Sequence, residues 1–326
     1  MPGGVGQMSL IFIFLDGVGL GLEEQSNPFF NVKTPFLTSL FEGKSLTREA
    51  SGKEYAEATL LALDAVLGVK GRPQSATGQT SLFTGVNAAA VLGRHLRGFP
   101  NRLLRKILAE KGMFLQLKSS SFTGTFANAY RPDFFQALKE GLNRRFSCST
   151  LMTYYGGLDF RNLDDLRNGQ AVYMDITNKF LREKGFKVPQ VSPHEAGKTL
   201  VNISRGFDLT FFEHFITDLA GHSGDYNTAA EVVAILDSFL ESVAENMDLQ
   251  RDILLVSSDH GNLEDMSSKI HTFNPVPALV MGKQRHKLVS LLAGRQDITG
   301  VLPAILGTLS ATREHGHGAG NADSPS

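Results

Sequence analysis

The sequence predicts an α/β fold: a doubly wound, mostly parallel sheet carrying an inserted smaller α+β cap domain. Three observations predict it. The run Leu10-Ile11-Phe12-Ile13-Phe14-Leu15 is continuously apolar, which is how a strand covered on both faces reads. In the last third, strand-like runs at 207–216, 253–256 and 276–281 alternate with a long helical pattern at 226–245. Between 98 and 205 that rhythm breaks into polar and mixed segments, as an insertion would make it do. The expected organisation is core 1–97, cap 98–205, core 206–312 and a disordered polar tail 313–326.

In chain order, residues 1–7 are glycine-rich and expected to fray. The first strand ends at Asp16-Gly17-Val18-Gly19-Leu20-Gly21, a turn. Thr34-Pro35 places a capping residue before a proline at the first helical position, so a helix starts there. Residues 78–90 are small and predict one tightly packed helix. Residues 101–111 form an amphipathic basic helix ended by Gly112.

The chain has 326 residues, 42% hydrophobic and 20% charged, enough for a large soluble core. Its 32 basic and 33 acidic side chains balance, so no global field attracts nucleic acid or an anionic membrane. The apolar run 10–15 is far too short to span a membrane and lacks the flanks of a signal peptide. A lone cysteine, Cys148, forms no internal disulfide and fits a reducing, cytoplasmic setting.

Chemistry-bearing residues cluster where strand-like runs end, the edge at which open α/β sheets bind ligands. They are Asp16, the segment Asp218-Leu219-Ala220-Gly221-His222, the pair Asp259-His260, and His271 before the run 276–281. A fifth segment, Gln74-Ser75-Ala76-Thr77, puts a serine at a helix entry. Imidazole and carboxylate are the ligands that zinc and manganese favour. Each has a plainer reading alone. Asp16 can be a turn residue, and Ser75 an N-cap. Asp218 and His222 can be a helical i,i+4 pair, although Gly221 makes a loop the expectation. A dinucleotide fingerprint at 17–22 fails because Leu22 stands where its third glycine belongs.

Taken together, these segments resemble a known family. Leu15-Asp16-Gly17-Val18-Gly19 with Lys33-Thr34-Pro35 is similar to the opening of the cofactor-independent phosphoglycerate mutases. Asp218 to His222, Asp259-His260-Gly261-Asn262 and His271-Thr272-Phe273-Asn274-Pro275-Val276-Pro277 match their metal motifs in order and spacing. Gln74-Ser75-Ala76-Thr77 resembles the nucleophile segment of alkaline phosphatases. The resemblance is thus to the alkaline phosphatase superfamily, on its phosphoglycerate mutase and phosphopentomutase branch.

The resemblance implies two divalent ions, Mn²⁺ or Zn²⁺ and also Mg²⁺. Asp218, His222 and His271 would hold one; Asp16, Asp259, His260 and the Ser75 oxygen the other. Ser75 would be the nucleophile that accepts a phosphoryl group from a small phosphorylated metabolite, in a mutase or a phosphomonoesterase. A phosphodiesterase, a nucleotide pyrophosphatase and a non-catalytic metal-binding homologue are the alternatives. Gln74 and Gln79 depart from the mutase pattern, which has Asn or Asp and His there. Arg72, Arg94 and Arg97 are the candidate phosphate grips, because guanidinium forks bind phosphate in pairs of hydrogen bonds.

Overall fold

The computed structural model describes residues 8–142 and 145–318, with side chains described as far as Arg313. The fraying expected of residues 1–7 and the end of the tail, 319–326, lie outside the described residues.

One sheet of seven strands organises the described residues: β1 (Leu10–Leu15), β2 (Lys53–Glu54), β3 (Ala58–Leu63), β4 (Gly124–Phe126), β5 (Leu209–His214), β6 (Ile253–Ser258) and β7 (Val276–Met281). Their order is β2-β3-β7-β6-β1-β5-β4. β6, β1, β5 and β4 run parallel, while β7, β3 and β2 form an antiparallel flank. Central β1 is buried along its whole length, which explains its unbroken apolar run. Its Leu10, Phe12 and Phe14 enter one core, where Phe14 meets Phe83 and Phe211. Its Ile11, Ile13 and Leu15 enter the other, beneath the helices Pro193–Ser204 and Tyr226–Asn246. Helices on both faces make the sheet doubly wound, as expected.

Four expectations need correction. The single helix at 78–90 is two helices, Ser75–Thr84 and Ala88–Leu92. Gly85 ends the first in the left-handed region (φ 75°) and the Asn87 side chain caps Ala90 N–H to begin the second. The loop expected at 218–222 is the helix Ile216–Ser223. Gly221 is there for space: a Cβ on it would lie 2.6 Å from the Asn262 side chain.

Residues 98–205, expected as an inserted cap domain, do not stand apart from the core. β4 extends the main sheet beside β5, and the helices Arg102–Lys111 and Cys148–Tyr155 pack against Ser75–Thr84. Helix Pro193–Ser204 lies along Tyr226–Asn246. A small core of its own survives only between Ala129 and Val188, built on Leu163, Leu166, Tyr173, Met174 and Leu181. Finally, the tail expected from 313 onward begins inside a helix, Val301–Gly318.

Candidate metal centre

Sheet topology brings the candidate ligands to one edge. β1, β5 and β6 are in register, so Leu15 stands between His214 and Ser258 and the three strands end together. Asp16, the helix bearing Asp218 and His222, and Asp259-His260 follow directly. β7 runs antiparallel to β6 and therefore begins at the edge where β6 ends. His271, although it precedes its strand, arrives at the same place. β3 runs antiparallel to β7 and ends there too, so Ser75 enters its helix at that edge.

Two triads result: Asp218, His222 and His271, and Asp16, Asp259 and His260. In the first, His222 Nε2 lies 3.1 Å from His271 Nε2 and 3.4 Å from Asp218 Oδ2, and His271 Nε2 lies 3.6 Å from Asp218 Oδ1. His222 Nδ1 donates to Lys269 O at 2.8 Å and His271 Nδ1 to Pro73 O at 2.9 Å. A neutral imidazole that donates through Nδ1 carries a lone pair on Nε2. Two lone pairs and a carboxylate therefore converge on one point. Backbone carbonyls holding the outer nitrogens are the usual support of metal-binding histidines.

In the second triad, His260 Nε2 sits 3.0 Å from Ser75 Oγ, 3.3 Å from Asp16 Oδ1 and 3.5 Å from Asp259 Oδ2. One N–H can serve only one of these three acceptors well. Asp16 Oδ1 and Asp259 Oδ2 are buried without a hydrogen-bond partner. The His260 and His271 rings stack at 3.7 Å, which joins the triads into one centre.

The electrostatics show what such a site needs. Burial, then the charge of neighbouring Asp16, pushes Asp259 well above the usual carboxylate range. Burial likewise raises Asp16, against the pull of the neighbouring His260. For His260 burial works downward, yet Asp259 and Asp16 outweigh it and push its pKa up to about 10. His271 moves the other way, down to about 4, through burial and the charge on His260. Asp16 and Asp259 thus make the inner triad a place that favours positive charge. Three carboxylates, three imidazoles and a hydroxyl fit divalent ions with mixed nitrogen and oxygen preference.

A surrounding layer fixes the ligands. Gln79 Nε2 donates to Asp16 Oδ2 at 3.1 Å, and Asn262 Nδ2 to Asp218 Oδ1 at 2.7 Å. Buried Glu264 accepts from Gly19 N and Asn262 N, each at 2.8 Å, from Asn274 Nδ2 at 2.9 Å and from Thr272 Oγ1. Gly17 combines a left-handed φ of 71° with close approach: a Cβ there would come within 2.6 Å of Asp218 Oδ1. At Gly78 a Cβ would sit 2.7 Å from Asp259 O, so the serine-bearing helix can lie on the Asp259 loop only through a glycine.

Ser75 is the first residue of its helix; the cap position belongs to Gln74, and no side chain makes a cap bond. Beside the first triad opens a cavity of about 290 Å³ lined by Arg72, Gln74, Arg97, His222, Lys269 and His271. Two of the three expected arginines are therefore at the site, whereas Arg94 is exposed and lines none of it. Sequence reasoning missed Lys269 and Glu264. Only the position of Lys269, two residues before His271, hinted at it.

A family model for the metalloenzyme superfamily matches residues 8–313. The chain belongs to that superfamily. Among curated relatives it is 27% identical over 146 residues to a 2,3-bisphosphoglycerate-independent phosphoglycerate mutase of Legionella pneumophila (strain Paris), covering 40% of this chain and 28% of that protein. The mutase of the same name from Desulforudis audaxviator is 33% identical over 132 residues, 37% of this chain and 24% of its own length. The chain thus spans about a quarter of the length of these relatives. Among solved structures, the PH0037 protein of Pyrococcus horikoshii shares the fold with a TM-score of 0.52 at 17% identity, covering 86% of each chain. The family resemblance read from the sequence is borne out.

Proposed function

We propose that this chain transfers a phosphoryl group from a small phosphorylated metabolite to Ser75, and from there to water. The observation that carries the reading is Ser75 Oγ placed 3.0 Å from His260 Nε2, at a helix entry and beside two unpartnered carboxylate oxygens. Asp218, His222 and His271 would hold one divalent ion; Asp16, Asp259, His260 and Ser75 Oγ would hold a second, with Mn²⁺, Zn²⁺ and Mg²⁺ as candidates. When bound, such ions make a hydroxyl a usable nucleophile and neutralise charge on the transferring group.

The remaining work falls to the chain itself. Arg72, Arg97 and Lys269 supply cations around the cavity for phosphate oxygens. Asn262 and Gln79 orient Asp218 and Asp16. The phosphoserine is released by an acceptor oxygen, and exposed Arg72, Arg97 and Lys269 leave the cavity within reach of water. That exposure favours hydrolysis, a phosphomonoesterase, over transfer to a second substrate hydroxyl.

Ser75→Ala tests the reading. In metal-loaded protein it is expected to lower turnover of a mono-aryl phosphate by at least about 10³-fold, as loss of a covalent nucleophile does. Phosphate trapped on the Ser75 peptide in the parent should vanish. Full activity in the folded, metal-loaded variant would overturn the assignment. Faster turnover of a bis-aryl phosphate than of the mono-aryl ester would make the chain a phosphodiesterase instead.

A further inference from the structure

A second cavity, of about 240 Å³, lies at the same sheet edge on the β4 side. Its walls are aromatic, contributed by Phe126, Tyr130, Phe134 and Tyr173, and its polar floor is Glu213. Glu213 is only 6% exposed. One of its carboxyl oxygens accepts from Ser149 Oγ at 2.7 Å; the other has no hydrogen-bond partner among the described residues. Asn128, beside it, is occupied by the Glu213 backbone in both directions. The cation that lines this cavity, Arg131, is turned to Asp133 at 3.0 Å.

The cavity and the metal centre are neighbours. Glu213 stands opposite Phe14 in the β1–β5 register, two residues before Asp16. Alternation puts Glu213 and Asp16 on the same face of the sheet, with Cα atoms about 8 Å apart from strand spacing and rise. The two sides are lined differently. Arg72, Arg97 and Lys269 stand around the metal-edge cavity, whereas this one holds a carboxyl whose pKa burial pushes up to about 8, so that it keeps its proton until a cation pairs with it, with aromatic side chains around it.

A buried carboxylate is stable only when something pairs with it. Aromatic rings beside it attract a cation that meets their faces, and no anion. We propose that this cavity receives the ammonium end of the substrate, making the substrate class a phosphorylated aliphatic amine with its phosphate at the metal edge. The assignment rests on the phosphoryl-transfer reading for the phosphate end only. Transfer breaks the P–O bond to the amino alcohol, which leaves with the Ser75 proton. Water then splits phosphoserine into inorganic phosphate and free serine.

The test compares 2-aminoethyl phosphate with n-propyl phosphate, close in size but lacking the ammonium, on metal-loaded full-length protein. The parent is expected to prefer the amine by about tenfold or more in kcat/KM, the scale of a charge pair with ring contacts. Glu213→Gln should remove most of that preference, and Tyr173→Leu part of it. Ethanolamine alone is the second probe, titrated into the same proteins by NMR. It should bind the parent and weaken about tenfold in Glu213→Gln.

Ethanolamine binding that depends on Glu213, without turnover of either ester, sinks the phosphoryl-transfer reading and leaves the cavity assignment standing. Turnover of both esters without preference, together with no ethanolamine binding or binding indifferent to Glu213→Gln, overturns the cavity assignment alone. Glycerol competing as well as ethanolamine would also overturn it, since a polyol site needs no cation.

Discussion

The two triads use the same chemistry in different surroundings. Asp259 and His260 are fully buried, under the helix that bears Ser75. Asp218 and His222 have side chains 14% and 26% exposed, and His222 lines the cavity. An unpaired charge on Asp259 or His260 has no water to turn to, whereas one on Asp218 or His222 does. The inner triad should therefore be coupled to folding and the outer one to binding alone.

The strongest way to break that contrast is Asp259→Asn. Without ions the substitution removes a carboxylate that burial disfavours, so it should raise the melting temperature in chelator. With excess Mn²⁺ it removes a ligand, so the ordering of variant and parent should reverse and phosphate turnover should fall by about 10³-fold. For the parent, loading at a hundred times Kd is worth about 2.7 kcal/mol per site, and the variant should forfeit one site's share. Identical chelator shifts in both proteins would show that Asp259 holds no ion.

A histidine outside the centre sharpens the point. His214 is as buried as His260, but Nδ1 donates to Met174 O at 2.7 Å, Nε2 is unpartnered, and no carboxylate is bonded to the ring. Burial then outweighs the hydrogen bond to Met174 O and lowers its pKa from 6.5 to about 4. The stability it contributes is present above pH 6.5 and is lost as pH falls through 4. The loss is at most about 3 kcal/mol. His214→Gln should flatten the acid limb of the stability curve over that window; an unchanged limb would place the acid sensitivity elsewhere.

The smallest effect on folding is expected for His222→Ala. Partly exposed, it should change stability by no more than about 1 kcal/mol. Affinity for one ion should weaken at least tenfold to about a hundredfold in competition with a metal indicator. Destabilisation as large as that of an inner-triad variant in Mn²⁺ would erase the distinction.

What could be read from the sequence follows the same divide. β1, β6 and β7 were legible because burial on both faces leaves apolar runs, and β5 through Leu209, Phe211 and Phe212; metal-ligand candidates follow or precede these strands. β4 was not, since Gly124-Thr125-Phe126 is too short to show a period. Missing it turned residues 98–205 into a separate cap. The helix at 216–223 was obscured by Gly221, whose reason for being glycine lies in Asn262, 41 positions away. Glu213 was hidden inside a strand, and only the fold shows that β4 and the segment after it roof a cavity over it.

Glu264 has a consequence for how the centre is made. Its carboxylate gathers donors from the turn after β1, the loop after β6 and the approach to β7, so protein bonds alone set the spacing of all three. An ion arriving there would enter a socket instead of moulding one. Little chain entropy would be surrendered on entry, and the choice among ions would be made by fit to a fixed opening. Exchange of one metal for another would then read out as a change in coordination geometry and rate, with the loops themselves standing still.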